Sequence, residues 1–238
     1  MSDLSTYNIY ATGERAALID LGNNISEAFN NKVLAMYEWL RRHPFEGLKD
    51  LVPAYSSLMI LYDPFVVNRY SPGSTAFEFV KQKLAEAWSV TGHDLEVPSK
   101  NISIPVCYDP GFGYDLKLVA AAKNMSAEEL VELHCSVEYR VYMLGFLPGF
   151  AYMGRVHERL VMPRRSAPRD NVEAGSVGIA GWQTGIYPLN SPGGWQILGR
   201  TPVKLFNAAS DPPVTVEAGD TVKFYPITLE QYHNYYVP

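Results

Sequence analysis

Gly175–Gly199 reads GSVGIAGWQTGIYPLNSPGGWQILG: seven glycines, two prolines, three aromatics and no charged residue. Such a run is too apolar for a disordered linker. It is also too rich in glycine for a helix, where each glycine costs on the order of 1 kcal/mol. Short strands joined by tight turns remain, with backbone amides brought close to whatever sits above them. Gly175, Gly178 and Gly181 recur every third residue, and the run predicts a binding surface.

The segment before it carries the charge. Between Tyr139 and Arg200 lie seven arginines (140, 155, 159, 164, 165, 169, 200) against Glu158, Asp170 and Glu173. Seven minus three makes that window +4, so with a net charge of −5 the rest of the chain is −9. A cationic island on an acidic chain suits a small anion, and the overall balance argues against nucleic acid. Pro163-Arg164-Arg165-Ser166-Ala167-Pro168-Arg169 is a loop stiffened by prolines. Arginine is the side chain suited to bidentate recognition of carboxylate or phosphate. Arg164 and Arg169 are therefore expected to hold an anion, with Arg165 facing solvent and Arg200 a further contact.

Outward from this core, the pattern from Glu138 onward is almost entirely β. Tyr139–Gly145, Val177–Ala180, Gln196–Gly199, Val203–Phe206 and Thr221–Pro226 are expected strands, and their Gly/Pro turns indicate a closed barrel. Two short helices, Asp115–Lys123 and Ala127–His134, precede them, the second opened by a Ser126/Glu129 capping box. Their pairing resembles a helix-turn-helix, but Glu128, Glu129 and Glu132 would repel phosphates. The first ninety residues read as a smaller α+β unit. Tyr7–Ala11 and Ala16–Leu21 form a hairpin, and Ile25, Phe29, Val33, Met36 and Leu40 follow helical spacing. Strands Leu48–Ala54 and Ser57–Tyr62 close at Asp63-Pro64, and a second helix starts near Ser74 with a Thr75/Glu78 capping box. Strands with two helices on one face suggest a ferredoxin-like α+β sandwich. The polar stretch Thr91–Asn101 divides the chain into a domain 1–95 and a barrel domain 96–238.

Composition sets the outer bounds. With 47% hydrophobic and 19% charged residues, the 238-residue chain is an ordinary globular sequence. Cys107 and Cys135 are the only cysteines, too few for a disulfide framework or a Cys-based zinc site. No secretory leader or bilayer-length apolar run is evident, so the cytoplasm is the expected compartment and no membrane partner is expected. GxxxxGK[ST], HExxH, GxSxG and GxGxxG are all absent.

Several residues punctuate this framework with chemistry. Gln183 and Thr184, between Gly181 and Gly185, offer neutral donors and acceptors able to read an amide, and Tyr187 adds a phenol. His134 closes its helix either as a dipole-favoured cap or as a general base. Cys135 reads as a small core residue and His157 as solvated. Gly145-Phe-Leu-Pro-Gly-Phe-Ala-Tyr-Met-Gly154 reads either as a hydrophobic plug at the barrel end or as a docking lip.

Taken together, Arg140-Val-Tyr-Met-Leu-Gly-Phe-Leu-Pro-Gly-Phe-Ala-Tyr-Met-Gly154, Pro163-Arg164 with Pro168-Arg169, Ala174-Gly-Ser-Val-Gly-Ile-Ala-Gly181, Gln183-Thr-Gly-Ile-Tyr-Pro188, Ser191-Pro-Gly-Gly-Trp195 and Gly199-Arg-Thr-Pro202 closely resemble the KipI family. This is the family of the 5-oxoprolinase B subunit, also labelled allophanate hydrolase subunit 1. The resemblance extends weakly through Val52-Pro-Ala-Tyr55 and Tyr62-Asp-Pro64. It implies a cyclophilin-like β-barrel behind the small α+β domain. It also implies a complex with a related C subunit, together with an A subunit, that converts 5-oxo-L-proline to L-glutamate with ATP hydrolysis, this chain being inactive alone.

That chemistry places cations (Arg164, Arg169, Arg200) around phosphate, and Gln183, Thr184 and the amides of Gly175, Gly178 and Gly181 near the developing oxyanion. No metal site is expected on this chain alone. Near the loop only Asp170 and Glu173 are carboxylates, so Mg2+ accompanying ATP would be held jointly with a partner subunit. Two alternatives follow from relatives of this type: a non-catalytic inhibitor of a sensor histidine kinase, and half of a carboxyltransferase acting on urea-like amides.

Overall fold

Alternating burial along Ser57–Tyr62 sets which face of the first sheet is covered, whereas the barrel strand Ser176–Ala180 is buried throughout. The computed structural model describes residues 7–22, 25–71, 73–92 and 99–236. It divides into two compact units, Met1–Pro98 and Ser99–Pro238. Within the polar stretch expected to separate domains, residues 93–98 lie outside the described residues.

In the first unit, β1 (Asn8–Ala11), β2 (Ala16–Asp20), β3 (Leu48–Pro53) and β4 (Ser57–Tyr62) form one antiparallel sheet in the order β1-β2-β4-β3. Alternate residues of β4, Leu58, Ile60 and Tyr62, are buried. They meet Phe29, Val33, Met36 and Leu40 of helix α1 (Glu27–Arg42) and Val80, Leu84 and Ala87 of helix α3 (Ala76–Val90) in one core. Thr75 caps α3 through the Glu78 amide, as its spacing predicts. The α+β layering is therefore as expected, but the ferredoxin-like connectivity is not. A βαββαβ unit needs a helix after its first strand, whereas a turn containing Gly13 at φ +76° joins β1 to β2. Helix α2 (Pro64–Tyr70) is an addition. Asp63 accepts hydrogen bonds from the Phe65 and Val66 amides at 3.0 and 3.3 Å, and Pro64 fits the first helical position. Read as a strand stop, Asp63-Pro64 is in fact a helix start.

The second unit is a closed barrel. Its strands are β5 (Asn101–Cys107), β6 (Glu138–Leu144), β7 (Ala151–Gly154), β9 (Ser176–Ala180), β10 (Gln183–Ile186), β12 (Gln196–Arg200) and β13 (Thr221–Ile227), in the order β10-β7-β6-β13-β5-β12-β9. Only the β5–β13 pair is parallel. Val141, Met153, Ile179, Leu198, Val222 and Phe224 fill the interior. Helices α4 (Leu116–Ala122) and α5 (Ala127–Ser136) follow β5, α5 capped by Ser126 on the Glu129 amide at 3.0 Å. A two-stranded ribbon of β8 (Arg169–Val172) and β11 (Ser191–Gly193) stands apart from the barrel ladder, and α6 (Leu229–His233) follows β13. The glycine run thus becomes four short strands joined by turns, as its composition predicts.

Val203–Phe206 is not a strand. Pro202 has no amide to donate, and the Val203 amide is held by Thr201 Oγ1 at 3.1 Å, leaving a single bridge from Phe206 to Val214.

Closure of the glycine run depends on Gly175, whose amide donates to the Tyr187 carbonyl at 2.7 Å and whose carbonyl accepts from the Thr201 amide at 2.9 Å. It has φ +83°, and a Cβ there would collide with the Thr201 carbonyl oxygen. Gly181 also has positive φ, +58°, but opens onto free space. Gly175→Ala is expected to cost at least about 3 kcal/mol, adding overpacking to the left-handed penalty, and Gly181→Ala only about 1–2 kcal/mol. Urea unfolding of the two variants measures the difference; equal losses would refute the packing role of Gly175.

Candidate functional site

The glycine sheet makes room for side chains of its own chain. Gly178 and Gly185 lie opposite each other between β9 and β10. A Cβ on Gly185 would come within 3.0 Å of the Trp195 ring and 3.3 Å of Phe150, and one on Gly178 within 2.9 Å of the Gln196 carbonyl. Phe150 meets Tyr187 at 5.1 Å and Trp195 at 5.5 Å between ring centroids, both edge-to-face, and Tyr152 meets Trp195 at 6.0 Å. Such arrangements add about 0.5–1.5 kcal/mol each beyond burial. The expectation that Gly175, Gly178 and Gly181 contact a ligand is therefore corrected for the first two. Protein atoms fill the space beside them, and only Gly181 of the three has open room. Tyr187 is 2% exposed, with its ring against Gly193.

The arginine loop is organised by a carboxylate that lies fifty residues before it. Asp115 is 2% exposed; its Oδ1 accepts from Arg165 at 2.8 Å and from Arg169 at 2.7 Å, and its Oδ2 from the Ile197 amide at 2.7 Å. Arg165 is thus paired rather than solvent-facing, because a buried carboxylate without cations would be prohibitive. The Arg169 guanidinium also lies 5.4 Å from the Tyr114 ring centroid. Arg200 pairs with Glu173, donates to the Tyr114 hydroxyl at 2.8 Å and sits 4.7 Å from the Phe112 ring centroid. Two of the three expected anion-binding cations, Arg169 and Arg200, are accordingly neutralised from within.

Arg164 is different. It is exposed and makes no ion pair among the described residues. Burial pushes the Tyr152 and Tyr187 phenols up, and the Arg164 charge acts on both in the opposite sense. Arg164 therefore stands at the rim of the aromatic cluster. At the same cluster Phe146 packs on Phe150 at 5.8 Å while remaining 63% exposed, with φ +68°. A bulky residue held in the left-handed region is an outlier of the kind found at binding sites. The composition of 145–154 fits either a plug or a lip; Phe150 packs inward while Phe146 faces out, and nothing in the composition indicates the positive φ of Phe146.

His134 and Thr184 come together, but inside the barrel. His134 is fully buried, stacked on Phe224 at 4.9 Å. Thr184 Oγ1 donates to the Gly178 carbonyl at 3.1 Å, so it accepts from His134 Nε2 at 3.0 Å. His134 Nδ1 then accepts from the Tyr108 hydroxyl at 2.8 Å, and the Cys135 thiol lies 3.4 Å from that phenol oxygen. Every member of the chain is satisfied, and burial lowers the His134 pKa to about 3. Neither residue faces solvent, so a catalytic role for them would be indirect. Gln183, half-buried at the next position of β10, is the one of the three expected catalytic residues with exposed surface. Cys135 is half-buried with its thiol pushed up by burial, and His157 Nδ1 accepts from the Arg159 amide at 3.2 Å. Among the described residues no three His, Cys, Asp or Glu side chains cluster as a metal site, and no helix is long and apolar enough to cross a membrane.

The family model "Carboxyltransferase domain, subdomain C and D" matches residues 7–216. The chain is 43% identical over 231 residues to the 5-oxoprolinase B subunit of Bacillus subtilis, covering 96% of each protein. It is 38% identical over 217 residues to the Escherichia coli O157:H7 protein of the same name, covering 91% of this chain and 94% of that one. Among solved structures, TTHA0988 superposes with a TM-score of 0.77 at 37% identity, over 90% of this chain but only 40% of that longer chain.

The buried imidazole makes stability depend on pH. Its folded pKa of about 3 lies below the ordinary 6.5 of a solvated histidine, so the unfolded chain takes up the proton first as pH falls. The stability it supports is complete above pH 6.5 and is lost progressively toward pH 3, at about 1.4 kcal/mol per pH unit. Urea unfolding across this range should give wild type a slope one proton steeper than His134→Gln; parallel slopes would contradict a neutral buried His134.

Proposed function

The chain belongs to the branch of 5-oxoprolinase B subunits within the carboxyltransferase C and D domain family, and on that basis we propose that it is the B subunit of an ATP-dependent 5-oxoprolinase, built on a cyclophilin-like barrel. Its partners are a related C subunit, together with an A subunit; its compartment is the cytoplasm, and it is inactive alone. The observation that carries the reading is the 43% identity to a protein of that name over 96% of both chains.

The reaction explains what the site must supply. A lactam is resonance-stabilised, and transfer of a phosphoryl group from ATP to its carbonyl oxygen makes the carbon electrophilic. Water then adds to that carbon, the ring nitrogen takes a proton as the C–N bond breaks to leave γ-glutamyl phosphate, and a second water hydrolyses that acyl phosphate to L-glutamate and phosphate. Such chemistry is helped by a cation beside the transferring group and by donors at the developing oxyanion. In this reading Arg164 is the cation, since Arg169 and Arg200 are committed to Asp115 and Glu173. Tyr152 and Gln183, both half-buried, are the neutral donors, and Arg169 and Tyr187 orient the loop and cluster beneath. Magnesium would screen the phosphate charge and would be held jointly with partner carboxylates.

The family description favours one other reading, half of a carboxyltransferase acting on urea-like amides; it requires a biotin carrier as co-substrate. Co-purification should recover a stoichiometric related protein, and the complex should hydrolyse ATP only with 5-oxoproline present. Arg164→Ala is expected to lower kcat/KM at least tenfold, about 1.4 kcal/mol of transition-state stabilisation. Wild-type turnover in that variant would remove Arg164 from the site, and dependence on a biotinylated carrier would replace the oxoprolinase reading.

A further inference from the structure

A groove of about 420 Å3 lies between α4 and α5, beneath the turn that follows β5. Tyr108, Leu116 and Val131 give it apolar surface, Lys117 stands on the α4 side, and Glu128 and Glu132 on the α5 side. The two glutamates are four residues apart and share a helix face with Val131. The residue's own backbone amide and the Ser126 hydroxyl hold the Glu128 carboxyl below its ordinary range, so it is charged at neutral pH.

Lys117 forms no ion pair with either glutamate, although they line the same groove. Opposite charges therefore border one apolar floor without reaching each other. A simple anion would meet Lys117 but also two carboxylates, and a simple cation would meet the reverse conflict. A molecule with an ammonium and a carboxylate on one end and an apolar body satisfies both sides and the floor, and the volume is within the range of small-ligand sites.

We propose that the α4–α5 groove is a binding site for a free α-amino acid with an aromatic or branched apolar side chain. The ligand carboxylate meets Lys117, the ammonium meets Glu128 and Glu132, and the side chain lies on Leu116, Val131 and the Tyr108 ring. Tyr108 also begins the hydrogen-bonded chain through His134 to Thr184 on β10, so two hydrogen bonds link the groove to the strand that carries Gln183. The proposal stands independently of the oxoprolinase reading.

All three charges are exposed, so screening keeps each ionic contact weak and the expected dissociation constant is in the millimolar range. Calorimetric titration of the full chain with L-phenylalanine should show saturable binding. L-Phenylalaninamide, lacking the carboxylate, and 3-phenylpropionate, lacking the ammonium, should each bind at least about threefold more weakly. Lys117→Met and the double variant Glu128→Gln/Glu132→Gln should weaken L-phenylalanine by a similar factor while circular dichroism stays unchanged. No saturable binding up to about 10 mM, equal affinity for the three probes, or unchanged affinity in the variants would overturn the assignment.

Discussion

The arrangement of the barrel unit's cationic loop depends on one buried carboxylate. Asp115 is shut off from water and would be untenable alone; two guanidinium groups and the Ile197 amide satisfy it. This requirement reaches across the fold. It ties the start of α4 to β12, draws Arg165 and Arg169 inward, and so fixes the course of the loop between Pro163 and β8. What the loop offers to solvent is decided by subtraction. With Arg165 and Arg169 committed to Asp115 and Arg200 to Glu173, the exposed guanidinium that makes no ion pair among the described loop residues is Arg164.

The glycine run supports the same edge from below. Its missing side chains let Trp195 and Phe150 settle against β9 and β10, and the edge-to-face packing of those rings with Tyr187 makes a second, smaller core beside the barrel interior. The Arg164 charge acts on the Tyr152 and Tyr187 phenols that border this core, where partial burial strengthens a charge's effect on its neighbours. A ligand at this rim would meet Arg164, the half-buried Tyr152 and the exposed Phe146, while Tyr187 stays beneath. That set suits an organic anion better than a bare phosphate.

Features written in adjacent residues were legible in the sequence, and those made by distant ones were not. Ser126 and Thr75 cap their helices because a cap is a local event three residues long. The strand-and-turn character of 175–199 follows from glycine and proline chemistry at each position. The role of Asp115 could not be read, because its cations lie fifty residues downstream and an isolated Asp before an apolar stretch reads as an ordinary helix cap. For the same reason the glycines looked like a floor for a ligand: nothing local shows that Trp195 and Phe150 occupy it. Asp63-Pro64 is the exception, a local helix start misread because the strand before it ended there. The ferredoxin-like reading failed through counting layers without connections, since the Gly13 hairpin already ruled out a helix between the first two strands.

A double-mutant cycle between Asp115→Asn and Arg169→Met, read by chemical unfolding at neutral pH, tests this dependence most directly. If the buried carboxylate organises the loop, the two residues are coupled by about 2 kcal/mol or more, and each single variant loses far more than a surface ion pair would. Additive losses, within about 0.5 kcal/mol, would contradict it.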